Sequence, residues 1–171
     1  MGNMGLCYAA LKQYDKAIEL QEKCLAIYEE FDDKKTLADT CVNLGLCLSN
    51  AGQHDRAVAC LKRACADIQH LNDEMDLAFA ALRLGVALWT RARAEHHQAA
   101  PDATSRGGVS AASADTLQEA ETWLRTALDM ADKLGCLNYR MDAQIHLAYV
   151  VMMNGDEDEA CLLYTSDAAD E

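Results

Sequence analysis

The sequence predicts an all-α chain, a solenoid of antiparallel helix hairpins. Gly5, Gly45 and Gly85 recur at a spacing of forty residues, and self-similarity at a fixed period of this size is the mark of a repeat array. The first two glycines are each followed twelve residues later by an alanine, Ala17 and Ala57, and seven residues beyond that by Cys24 and Ala64. Ala and Leu dominate, with 6% aromatic residues and a single proline in 171 residues, a composition that favours helix over sheet.

Spacings of three, four and seven fall on one helical face, so each unit reads as two amphipathic helices joined by a short turn. The first unit, about 1–34, carries Met4-Gly5, the turn "LKQYD", then Ala17 and Cys24. Relative to the later units its start is cut short, and residues 1–13 read as a clipped first helix. The second unit, about 35–74, carries Leu44-Gly45, the turn "NAGQHD", then Ala57 and Ala64. Asp15 and Asp55 are the expected caps of the second helices. A glycine within a helix costs about 1 kcal/mol relative to alanine. The expected compensation is close approach of two backbones, the glycine of each first helix facing the alanine of the second.

The third unit, about 75–137, is interrupted. Leu84-Gly85 and Leu88 are in register, but the matching alanine, Ala120, follows Gly85 by thirty-five residues instead of twelve, an insertion of 23. The stretch "RARAEHHQAAPDATSRGGVSAASAD" supplies it and holds the only proline. Residues of about 92–115 read as a loop between the two helices, dispensable for folding, with His96 and His97 exposed in it. "EAETWLRTAL" then restores the pattern with Ala120 and Ala127. A fourth, incomplete unit, about 138–160, begins near Met141, with Leu147-Ala148 in place of Leu-Gly and Ala160 at the small site. Its turn, "NGDED", lacks the alternating oxygen ligands of a calcium loop and reads as a helix cap.

Residues 161–171, "CLLYTSDAADE", resemble a translated transposase sequencing adaptor: TGT CTC TTA TAC ACA TCT GAC GCT GCC GAC encodes Cys161 to Asp170. The tail is accordingly expected to be non-native and the chain an internal fragment, with an apolar end open to association.

The paired Gly and Ala sites resemble the tetratricopeptide repeat family, whose hairpins carry Leu-Gly followed by alanines at these offsets. The period of forty, against thirty-four in the usual member, is similar to that of kinesin light chains and the Leu-Gly-Asn repeat adaptors. The resemblance implies a right-handed solenoid whose first helices line a concave binding surface. Phased from the glycines, Val42, Leu46, Leu82, Val86, Trp89, Ile145, Tyr149 and Met152 are expected to face that peptide-binding groove. The competing reading of the same stripe is packing against adjacent repeats.

Net charge and motifs bound the function. With 15 basic and 28 acidic residues the formal charge is −13, which argues against nucleic acid and anionic lipid and for a protein or peptide partner. No apolar run reaches the ~20 residues of a membrane span, and Leu6 stands where a myristoylation signal needs Ser or Thr. The eight cysteines contain no C-x-x-C; Cys41–Cys47 and Cys60–Cys65 are the closest pairs. Cys7 aligns with Cys47 and Cys24 with Ala64, so they read as free thiols acting as small hydrophobes in a reducing, cytoplasmic setting. Neither a metal nor a cofactor is implied, and no catalytic motif points to an enzyme. The expected function is a scaffold or adaptor holding a peptide or amphipathic helix. The alternative is a structural, self-assembling segment of a larger complex, ciliary or cytoskeletal for example.

Overall fold

The computed structural model describes residues 2–31, 33–99 and 111–165. The helices run α1 Gly2–Ala10, α2 Tyr14–Glu30, α3 Lys34–Asn50, α4 His54–Leu71, α5 Glu74–Ala99, α6 Ala111–Leu134, α7 Leu137–Asn154 and α8 Glu157–Thr165. No strand occurs among the described residues. Consecutive helices pack as hairpins, and the odd-numbered helices also touch one another, α1 on α3, α3 on α5 and α5 on α7. The architecture is therefore all-α, an array of tetratricopeptide-like hairpins. Of the tail expected to be non-native, 161–165 fall within α8 and 166–171 lie outside the described residues.

The predicted turns hold. In units one and two the same backbone bonds close them, Gln13 N–H donating to Tyr8 O and Gln53 N–H to Leu48 O, both at 2.9 Å. The left-handed residue this geometry requires is Gly52 at φ 77° in the second unit, but Lys12 at φ 58° in the first. The expected caps do not hold. Gln13 and Gln53 occupy the cap positions without a side-chain bond to the helix backbone, their amide oxygens accepting instead from Lys16 and Arg56, which leaves Asp15 and Asp55 inside the first turn, where they face the positive end of the helix dipole. Side-chain caps occur elsewhere: Asp33 accepts from Thr36 N–H at 3.2 Å, and Asp156 in "NGDED" accepts from Glu159 N–H at 3.0 Å.

The insertion is largely helix. α5 continues to Ala99 and α6 begins at Ala111, so 92–99 and 111–115 are corrected from loop to helix, and residues 100–110 lie outside the described residues. Ala92 and Ser113 are buried, and Ser113 Oγ donates to Glu95 Oε2 at 3.2 Å. Both helices have been lengthened together and zip against each other. The alanines at 92, 94 and 99 supply the propensity.

The glycine sites also behave differently from the expectation. A Cβ on Gly45 would meet Leu61 Cγ at 2.6 Å, and one on Gly85 would meet Leu124 Cγ at 2.6 Å; on Gly5 it would meet Gln21 Nε2 at 2.7 Å. The partner is thus the side chain four residues beyond the buried alanine, one helical turn on, rather than the alanine itself. Glycine admits a large side chain of the second helix into the first. The identical Gly45–Leu61 and Gly85–Leu124 relationships also fix Ala120 as the register match of Ala57.

A second repeated relationship links the second helices. The residue five after each alanine pairs with the residue just before the next one: Glu22 with Arg56 at 2.5 Å, Lys62 with Glu119 at 2.6 Å, and Arg125 with Glu159 at 2.7 Å. These are surface pairs, worth ~0–1 kcal/mol each. Their contribution is to register between hairpins.

Candidate functional site

Each first helix carries three apolar stripes, and knowing what each stripe meets locates the site. One stripe holds the glycine and faces the second helix of its own hairpin. A second holds Thr40, Leu44 and Cys47 in α3, Ala80, Leu84 and Ala87 in α5, and Ala143, Leu147 and Val150 in α7, all buried. The next residue along that stripe shows where it points. Arg91 Nε pairs with Asp55 Oδ1 of α4 at 3.2 Å, and Asn154 Nδ2 donates to Glu121 Oε2 of α6 at 3.1 Å, so this stripe lies against the preceding hairpin.

The third stripe is the one phased from the glycines as a groove: Val42 and Leu46, then Leu82, Val86 and Trp89, then Ile145, Tyr149 and Met152. It points toward the following hairpin. The rings of Trp89 in α5 and Tyr149 in α7 stack at 5.9 Å with an interplanar angle of 2°, and the Arg93 guanidinium lies 5.0 Å from the Trp89 ring centre. Leu82 is 0% exposed, Val42 3% and Trp89 8%, so these three have no surface left for a peptide. Leu46 and Val86 are partly buried and pack against the main core. Ile145, Tyr149 and Met152, in contrast, are 42%, 48% and 51% exposed. The expectation of an eight-residue open groove is corrected accordingly: five positions are wholly or partly taken up by packing within the array, Tyr149 gives one ring face to Trp89, and Ile145 and Met152 stand open beside it.

Those three surround a cleft of about 380 Å³, lined by Ile145, Ala148, Tyr149 and Met152 of α7 and by Glu157, Ala160 and Cys161 of α8. Its floor is apolar and its rim acidic. Glu159 is held by Arg125 and Asp156 caps the helix, whereas Glu157 and Asp158 make no ion pair with the described residues. Sequence reasoning passed over this rim, although the signal was present: Asp158 precedes Ala160 by two residues, as Asp55 precedes Ala57.

Two groups near these stripes have displaced proton affinities. Burial lowers the His146 pKa on α7 below its ordinary value; the nearby Asp142 carboxylate opposes this, and the Arg83 guanidinium reinforces it. Cys60 is pulled down to about 7 by a hydrogen bond from Cys41 and by the charges of Arg56 and Arg63, against the effect of its own burial. The described cysteines are free thiols, with Cys24, Cys41, Cys47 and Cys65 buried as small apolar groups and Cys7 and Cys161 exposed. Among the described residues no group of three His, Cys, Asp or Glu side chains is placed to hold a metal. No described helix is long and apolar enough to cross a membrane.

The hairpins and the glycine relationship have a counterpart among known families over the first part of the chain. Residues 1–69 match the family model of the tetratricopeptide repeat. The match covers less than half of the chain. The later hairpins carry the same glycine relationship and the same ion-pair register beyond the matched segment. Among solved structures, the chain is similar to the nearly identical TPR-like repeats of a Podosopora anserina chain described as a kinesin light chain. The identity is 18% and the TM-score 0.48, covering 98% of this chain and 92% of that one. A single-substitution variant of those repeats gives the same identity and TM-score over 98% and 91%. No curated protein matches the chain.

Proposed function

We propose that the chain is a protein-interaction scaffold that receives an amphipathic helix or peptide on the apolar surface shared by α7 and α8. One observation carries the reading: Ile145, Tyr149 and Met152 stand about half exposed around an apolar cleft, while their counterparts Val42, Leu82 and Trp89 are covered. Contiguous exposed apolar surface of this kind marks interaction sites, and an amphipathic helix laid in a groove is a recurring mode of recognition. Tetratricopeptide repeats generally mediate contacts between proteins and are typically not enzymes.

The experiment is selection from a displayed library of helical peptides against the full chain, with Tyr149→Glu as counter-selection. Tyr149 is half exposed, so the variant should retain its helical circular dichroism. Helices that bind the natural chain and lose the variant support the reading. Enrichment of sequences that bind both equally contradicts it.

The burial of Val42 and Leu82 favours a second reading, in which the same stripe on α7 stacks against another repeat array and the chain is a structural segment. Exposed ends of repeat arrays associate unless capped. Sedimentation velocity across concentration separates the two: self-association removed by Ile145→Asp supports stacking, and a monomer at all concentrations rejects it.

A further inference from the structure

We infer that Cys60 and Cys41 form a reactive thiol pair that reduces low-molecular-weight disulfides and closes to a disulfide bond between α4 and α3, a modification site inside the second hairpin. It does not depend on the docking surface described above.

Register brings the two cysteines together. Cys41 stands on α3 four residues before Gly45, and Cys60 stands on α4 three residues after Ala57 and next to Leu61. The two helices are pressed together there, since a β-carbon on Gly45 has no room against Leu61, and the Cys41 thiol donates a hydrogen bond to the Cys60 sulfur. The corresponding positions of the third hairpin hold Ala81 and Trp123. Ala81 is fully buried and Trp123 packs on the same core. A small hydrocarbon side chain thus serves the first position, so packing does not call for sulfur there. Two facing thiols give the second hairpin a chemistry that the third lacks.

The thiols are unequal, and the inequality assigns their roles. Cys60 is partly exposed, whereas Cys41 is fully buried. Arg56 and Arg63 lie one turn before and one turn after Cys60, on its face of α4. The hydrogen bond from Cys41 and these two guanidinium groups bring the Cys60 pKa down to about 7, against its burial and the Glu22 carboxylate. A thiol that ionises near the ambient pH is the most effective attacker in disulfide exchange. Burial instead holds Cys47 and Cys65 protonated.

The Cys60 thiolate attacks one sulfur of the small disulfide. The bond between the two small sulfurs breaks, a mixed disulfide forms on Cys60, and the released thiolate takes a proton from water. Cys41 completes the exchange. In the reduced chain its thiol is held protonated by the hydrogen bond to Cys60 and then by burial. Capping Cys60 removes the charge that accepts this bond, and the Arg63 guanidinium then favours ionisation of Cys41. Its proton passes to solvent, its sulfur attacks Cys60 Sγ, and the mixed bond breaks to release the second small thiol. The two protein thiols lose two electrons and two protons, and the small disulfide gains both.

The probe is oxidised glutathione. The full chain is incubated with it near neutral pH without denaturant and under argon, trapped with acid, alkylated and mapped by peptide mass spectrometry. A Cys41–Cys60 disulfide is expected, with the helical circular dichroism retained. Cys41→Ala, which places there the residue of the third hairpin, should leave Cys60 as a stable glutathione adduct. Cys60→Ser should leave Cys41 unmodified. Arg56→Gln combined with Arg63→Gln should slow loss of the Cys60 thiol by about three- to tenfold. A Cys60 that remains a glutathione adduct in the natural chain, or stays reduced while the exposed Cys7 is modified, overturns the inference. So does a cross-link that forms only in urea, or a Cys41 that reacts as fast in Cys60→Ser as in the natural chain.

Discussion

Gly45 of α3 lies so close to Leu61 of α4 that a β-carbon on the glycine would sit 2.6 Å from Leu61 Cγ. No real Cβ contact is that short, and Leu61 is fully buried, so the leucine has nowhere to retreat. Gly45→Ala gains about 1 kcal/mol of helix propensity but overpacks the hairpin at ~1–3 kcal/mol. The net expectation is destabilisation by ~1 kcal/mol in urea unfolding. Adding Leu61→Ala should make the glycine substitution neutral or favourable, because the clash partner is gone. At Gly5 the opposing atom is the far end of Gln21, and the same substitution should cost less.

Lys12 holds the left-handed conformation, φ 58°, that Gly52 holds in the next unit. A side chain there costs ~1 kcal/mol that glycine avoids. Lys12→Gly should therefore raise the midpoint of thermal unfolding, while Gly52→Lys should lower it.

Replacing residues 92–115 by a short Gly-Ser turn should be damaging. It removes buried Ala92 and Ser113, the Ser113–Glu95 hydrogen bond and the helix ends that carry them. The expected result is lower helix content and a lower thermal midpoint in circular dichroism; unchanged stability would mean that these helix extensions contribute nothing to the packing.

How far the sequence could be read depended on which property each residue expresses. Gly45, Ala57 and Ala64 reported period and helix count because small buried sites recur wherever helices touch. Ala120 gave the correct register of α6 across an irregular insertion for the same reason. What the glycine touches was not legible: the constraint lies on Leu61 and Leu124, common residues at which leucine looks like any core position. The insertion misled through composition, because Ala-rich sequence supports a helix as readily as it fills a linker. The groove failed for a geometric reason. Helical phase gives a direction, and the direction shared by Leu82 and Ile145 leads to a neighbouring hairpin in one case and to open surface in the other.

His146 sets a pH dependence with a definite sign. Burial lowers its folded-state pKa below 6.5, and Nδ1 has no hydrogen-bond partner among the described residues. Well above pH 6.5 the ring is neutral in both states and its contribution is fully retained. As pH falls from 6.5 toward the folded value the unfolded chain takes up the proton first, and stability is lost. His146→Leu should show a smaller loss between about pH 7 and about pH 5.5 in urea titrations, and an equal loss in both proteins would assign the dependence to other groups.

One stripe of the array is covered at Val42 and Leu82 and exposed at Ile145 and Met152, and the proposed helix partner would occupy the exposed part. Methyl NMR of the full chain during titration with a helical peptide selected for Tyr149-dependent binding reads both parts at once. Saturable shifts are expected at the Ile145 and Met152 methyls while those of Val42 and Leu82 stay in place. Movement of Val42 or Leu82 with Ile145 and Met152 unchanged would contradict it.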